Sequence, residues 1–168
     1  MRAHIARGLD AVIVHPTGVI GPYDFEPSRM GQVFLRLYRG TLPALVKGGF
    51  DFVDGRDVAE GILSAAERGG TSESYLLGGK FCRMPELAAM AAAVTGRRHA
   101  RPTLPIWAAR LGVPVLRLAA AATRPEPLYP AESLAVLRVN RSIDHAKAGH
   151  DLGYAPRPTA ESVADIYR

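Results

Sequence analysis

The residues best placed for chemistry stand just after an apolar run. Ala11-Val-Ile-Val14 is followed at once by His15, Pro16, Thr17, Gly18 and Val19, then by Gly21-Pro22. A short, largely β-branched run without alternation, closed by turn formers, reads as a strand buried on both faces of a parallel sheet. Such sheets bind ligands beyond the carboxyl ends of their strands. The segment after Val14 is therefore where a binding site is expected. Other constellations are weaker. His15 reads as a polar group satisfied at a strand end. Gly18-Val-Ile-Gly21 is followed three residues on by Asp24, so it completes no Gly-x-Gly-x-x-Gly, and no Walker loop occurs. Asp54 and Asp57 flank Arg56, but at a helix start they read as a cap and as charges matched to the helix dipole. His145 and His150 fall on different faces of a helix, and Cys82 has no second cysteine. The spacing gives no metal site, and no Gly-x-Ser-x-Gly nucleophile signal is present.

Placing that segment requires a mixed α/β chain. Met1 to Gly8 reads as the end of a helix with Gly8 past its last turn. Ala11 to Val14 is the strand, and Gly18 to Pro27 a loop. Ser28 caps a helix over Arg29 to Arg39, where Met30, Val33, Phe34, Leu37 and Tyr38 recur at helical spacing, and Gly40 ends it. Leu42 to Val46 is extended and Gly48-Gly49 a turn. Phe50 to Val53 alternates like a strand. Asp54 caps the next helix, with Val58, Ile62, Leu63 and Ala66 on its stripe. Ser74 to Leu77 is a second apolar strand closed by Gly78-Gly79. Pro85 suits the first turn of a helix that ends at Gly96. Pro105 to Ala122 reads as an apolar, Pro-interrupted helical region, Thr123 to Pro130 as a linker, and Ala131 to Leu137 as a short helix. Another helix covers Ile143 to Leu152, and Thr159 caps the last. The second half is mostly helical.

Composition narrows the function classes. A chain of 168 residues, 48% apolar and 22% charged, can build a real core. The net charge of +5 is spread along the chain with no block of like charge, so a specific nucleic-acid partner is not expected. One cysteine excludes an internal disulfide and fits a cytoplasmic protein. The first ten residues have no signal-peptide core. Leu104 to Ala122 carries Arg110 and Arg117 and is broken by Pro114, so no membrane span is expected.

Several stretches, in order along the chain, resemble the carboxyl-terminal half of extended short-chain dehydrogenases/reductases. This is the NAD(P)-dependent epimerase/dehydratase family, in its dihydroflavonol-reductase-like branch. They are Gly8 to Pro22, Pro27-Ser-Arg-Met30, Gly49 to Gly61 (Gly-Phe-Asp-Phe-Val-Asp-Gly-Arg-Asp-Val-Ala-Glu-Gly), Tyr75-Leu-Leu-Gly-Gly79 and Leu152-Gly-Tyr-Ala-Pro-Arg-Pro158. The resemblance implies the last part of a Rossmann-type NAD(P)-binding fold, with residues 1–26 its remnant. Residues 27–168 are then a mostly helical substrate-binding region, interleaved with a returning strand and helix over about residues 50–80. It implies NAD or NADP as cofactor and places Pro16, Thr17, Gly18 and Val19 beside the nicotinamide. Tyr23, Arg29 and Met30 are candidates for the substrate pocket by position.

One departure is large. The family's amino-terminal half carries a Gly-rich phosphate turn and a Tyr-x-x-x-Lys pair that serves as acid/base. None of the six tyrosines here has a lysine four residues on, so no catalytic residue is assigned. The family reaction is hydride transfer at a carbonyl or alcohol carbon of a small molecule. Alone, this chain is expected not to catalyse it; the alternatives are a non-catalytic binding module and one half of a split reductase. A strand built for neighbours on both edges is aggregation-prone without them. The isolated chain is thus expected to self-associate or to depend on a separately made amino-terminal half. Size-exclusion chromatography and urea unfolding check this: a monodisperse, cooperatively unfolding monomer contradicts it.

Overall fold

The computed structural model describes residues 7–97, 101–105, 107–108 and 143–168. Strand β1 (Ile13–Pro16) is followed after one residue by β2 (Gly18–Ile20). Helix α1 (Arg29–Arg39) leads to β3 (Leu45–Val46) and β4 (Gly49–Asp54). Then come α2 (Gly55–Arg68), β5 (Ser74–Leu77), β6 (Lys80–Arg83) and α3 (Met84–Thr95). Strand β7 (Thr103–Leu104) and helices α4 (Ala146–Leu152) and α5 (Thr159–Ile166) complete the described elements.

Among the described residues the strands form three small sheets. β1 pairs in parallel with β5, in a register that sets Ile13 against Ser74 and Pro16 against Leu77. β2 pairs in parallel with β4, which pairs antiparallel with β6. β3 and β7 form a parallel pair. Strand β4 lies between two cores, and its alternation feeds both. Phe52 joins Phe34, Leu37, Met84 and Leu87 on one side. Val53 joins Val58, Tyr75, Leu77 and Leu152 on the other. The helix ends follow local rules. The Ser28 hydroxyl accepts from Gly31 N at 3.1 Å, and the Asp54 carboxylate accepts from Arg56 N at 2.8 Å. Arg83 N donates to Glu86 at the start of α3, with Pro85 in the first turn. Each cap supplies a partner that the first turn of a helix otherwise lacks.

Several expectations need correction. The first strand runs two residues beyond Val14, because His15 and Pro16 continue the ladder opposite Leu76 and Leu77. It is half-buried at Ile13 and Val14 and exposed at His15 and Pro16, since β5 is its one partner among the described residues. Residues 18–20, read as loop, form β2, because Phe52 to Asp54 offers a parallel edge. Gly49, expected in a turn, opens β4, and Lys80 to Arg83 is a strand that local pattern did not indicate. Pro158 takes the cap position of α5, and Thr159 is its first helical residue. Helix α4 begins at Ala146, where Asp144 accepts from Ala146 N at 2.8 Å. Residues 1–6 of the expected helix ending at Gly8, the helix over 131–137 and the linker 123–130 lie outside the described residues, as does nearly all of 105–122.

Leu77 is fully buried at the end of β5, where Gly61 of α2 packs directly onto its methyl groups. Leu77→Ala is expected to cost about 2–5 kcal/mol through lost burial and a cavity that backbone contact cannot close. A urea unfolding midpoint compared with the parent chain measures it.

Candidate functional site

The parallel strands β1 and β5 end side by side at Pro16 and Leu77. The chain leaves β1 through Thr17, whose N–H donates to Leu77 O at 3.3 Å. Gly18 then enters β2, so the segment expected to form a turn bridges two sheets. Gly18 packs tightly there: a Cβ would stand 3.0 Å from Asp51 O and 3.3 Å from the Phe52 ring. A bare backbone is what lets the two strands approach. Thr17 Oγ1 donates to Asp51 Oδ1 at 2.8 Å, and Gly79 N donates to the same oxygen at 2.7 Å.

A cavity of ≈ 240 Å³ opens on the far side of this bridge. Val19, Tyr23, Met30, Phe34 and Ile166 supply its apolar wall, with Asp24 and Ser28 at its polar side. The structure thus brings Val19, Tyr23 and Met30 together. Pro16, Thr17 and Gly18 precede them along the chain without lining this cavity, and neither does Arg29, which is exposed. Tyr23 has φ +71°, a left-handed conformation that costs a non-glycine residue about 1–2 kcal/mol. The residue is 74% exposed, and its ring tilts against Phe25, 6.2 Å away between centroids. The loop is braced by Asp24, whose carboxylate accepts from Ser28 N and Oγ.

Charged networks hold the floor. Asp54 is buried, and its carboxylate accepts from Arg56 Nε at 2.9 Å and from Arg56 Nη2 at 2.8 Å. Arg56 also reaches Asp165 of α5 at 2.8 Å. Burial by itself raises the Asp54 pKa, but hydrogen bonds from Arg56 and Ser162 outweigh it and hold the carboxyl at about 2. Asp57 accepts from Arg157 N and Nε, both at 2.8 Å, which ties α2 to the segment before α5. Asp54 is therefore the cap that its place at a helix start implies, whereas the ion pair of Asp57 with Arg157 is set by a partner 100 residues away. Burial pushes the Cys82 thiol up to about 11, with the nearby Glu86 carboxylate adding to the rise, so it remains a protonated core residue. His15 is exposed.

Asp51 and Tyr154 were given no role from sequence, and His145, read there as a helix residue on a different face from His150, stands just before α4. Tyr154 Oη donates to Gly78 O at 3.0 Å, and His145 packs edge-on against the Tyr154 ring. A buried aspartate in an apolar alternating strand, Phe50-Asp51-Phe52, was the signal that could have drawn attention to the first.

No family model matches the chain. It is 33% identical over 95% of its length to sterol demethylase protein B of Methylococcus capsulatus, covering 49% of that protein. It is 31% identical over 95% of its length to a Synechocystis protein named as a candidate dihydroflavonol 4-reductase, covering 48% of it. The fold matches the crystal structure of PA4631, a nucleoside-diphosphate-sugar epimerase from Pseudomonas aeruginosa. That match has a TM-score of 0.77 and 25% identity, over 99% of this chain and 49% of the other. Solved chains of this fold include examples holding NAD or NADPH. The chain spans about half the length of the curated relatives it matches. Among the described residues no helix is long and apolar enough to cross a membrane.

The Asp54 carboxyl titrates lower folded than its ordinary value of 3.8. Its contribution, about 2 kcal/mol for such a shift, is complete above pH about 4 and disappears as pH falls through about 2. Arg56→Gln is expected to move the acid-unfolding midpoint upward by about one pH unit. Circular dichroism along a pH titration reads that shift.

Proposed function

The chain corresponds to about half of an epimerase/reductase-family protein, and from that premise we propose that it is the substrate-side half of an NAD(P)-dependent oxidoreductase. One observation carries the reading. Val19, at the end of the segment assigned to the nicotinamide, lines the same cavity as Tyr23 and Met30, assigned to the substrate. Cofactor and substrate segments meet at one residue, as hydride transfer requires.

The residues present suit the nicotinamide end of the cofactor. Pro16 is the last residue of β1 and Thr17, Gly18 and Val19 follow it, at the carboxyl end where parallel sheets receive such groups. The sequence contains no Gly-rich turn opening a helix that would take the diphosphate. When bound, the nicotinamide accepts or donates the hydride. What this chain's own residues do is hold that ring's edge, wall off the cavity and orient the substrate. With no tyrosine–lysine acid/base pair, proton transfer is left to another half, supplied in the same longer protein or by a separate chain. Losing positioned proton transfer alone costs about 10²–10⁴ in rate.

The cavity wall and the relatives' names support one substrate class, a rigid, largely apolar ring compound bearing an alcohol or ketone. Sterols and dihydroflavonols are both of that kind. Tyr23, which lines the cavity, is placed to lie on its face.

The test is complementation with the half of the Methylococcus relative that this chain does not cover. The mixture is expected to bind NADH or NADPH, read by cofactor fluorescence, and to reduce a ring ketone; each half alone is expected to be inert. Turnover by this chain alone, or a stable mixture that binds no dinucleotide, overturns the reading. In the complemented enzyme Tyr23→Gly relieves the strained φ, so stability stays within about 1 kcal/mol. Loss of ring contact worth about 1.4 kcal/mol raises KM about tenfold. Steady-state kinetics beside a thermal melt separates the two effects.

A further inference from the structure

Asp51 does not line the candidate cavity, yet it is 3% exposed in the middle of β4. Resting on the reading of Pro16 to Val19 as the nicotinamide-side segment, we propose that Asp51 is its positioning residue, acting through the Thr17 hydroxyl. The β1–β5 pair and the β2–β4–β6 sheet are separate sheets, and Thr17 is the single residue between β1 and β2. Its N–H is held by Leu77 O of β5, and its hydroxyl by Asp51 Oδ1 of β4. Gly79 N, just past the end of β5, reaches the same carboxylate oxygen at 2.7 Å. One buried acceptor thus collects donors from the exits of β1 and β5.

The surroundings are shaped to that end. Gly79 lies flat against the Phe52 carbonyl, so that a Cβ there would overlap it. A Cβ on Gly78 would sit 3.4 Å from Asp51 Oδ1, from His145 Nδ1 and from Ile143 O. Polar groups from β4 and from the segment just before α4 therefore close over the same glycine corner. With the Thr17 hydroxyl turned inward onto Asp51, the segment presents main chain to a ligand. Asp51 touches no ligand, and it sets where that main chain stands.

Hydrogen–deuterium exchange on the chain itself tests the tie without any cofactor. Asp51→Ala removes the acceptor, whereas Asp51→Asn keeps one carbonyl oxygen for both donors. Asp51→Ala is expected to speed exchange about tenfold in residues 17–19 and at Gly79, as loss of a buried hydrogen bond implies. Exchange in α1 and α2 is expected to stay unchanged, and Asp51→Asn to restore protection. Thr17→Val, which only removes the hydroxyl, is expected to loosen residues 17–19 and leave Gly79 protected. That variant decides the matter if Asp51→Ala does not fold. Unchanged protection at 17–19 in Thr17→Val, or an equal rise across all helices, overturns the proposal. In the complemented enzyme, Thr17→Val and Asp51→Ala are each expected to weaken NADH or NADPH binding about tenfold, and Asp51→Asn to bind as the parent does. Binding unaffected by Thr17→Val also overturns it. A parent mixture that binds no dinucleotide removes the functional reading instead, and the exchange data then decide the role of Asp51 separately.

Discussion

Strand β4 is the constraint on which the described fold depends. Gly49 to Asp54 is a six-residue strand flanked on both edges, by β2 in parallel and by β6 antiparallel. Its side chains alternate between two apolar clusters, Phe52 into one and Val53 into the other. A strand buried on both faces admits polar groups only where every one of them is paired. Asp51 and Asp54 are the two acids it carries, both nearly inaccessible and both hydrogen-bonded. Each therefore acts as a fixed anchor. Asp51 gathers the exits of β1 and β5, and Asp54 starts α2 and binds Arg56.

The ion pairs extend that anchoring to the far end of the chain. Arg56 joins the start of α2 to Asp165 in α5, and Arg157 joins Asp57 to the segment before α5. Charged pairs in half-buried places add little net stability when compared with apolar packing, but breaking one leaves a stranded charge. Their effect here is geometric. They hold α5 so that Ile166 lines the candidate cavity and Tyr167 can donate to Phe34 O at 2.9 Å. The cavity wall is thus assembled from residues over a hundred positions apart.

Much of the element order was legible because its causes are local. Ser28 and Asp54 bond within three residues of themselves, and Gly40 and Gly153 adopt left-handed conformations right after the helices they close. The strand at Ser74 to Leu77 was readable from its run of apolar residues. Lys80 to Arg83 was not, because a short strand with charged ends carries no pattern apart from its partner, β4. The first strand's burial was misjudged for the same reason. An apolar run reports what a strand can bury against and says nothing of which neighbours are present.

The candidate site divides along the same line. Residue order alone was enough to mark Pro16 to Val19 at the carboxyl end of a parallel strand, to read the helix that Ser28 caps after it, and to liken the chain to half of a reductase or epimerase. Such readings rest on short-range pattern, which survives without knowledge of contacts. Only the tertiary structure decided that Thr17 turns its hydroxyl onto Asp51, 34 residues away. It also decided that Val19 and Met30 share a cavity from which Arg29 is absent, and that Asp57 meets Arg157 across 100 residues. A side chain's direction is set by which partner the fold brings within about 3 Å of it, and nothing in the local spacing of a chain encodes that distance.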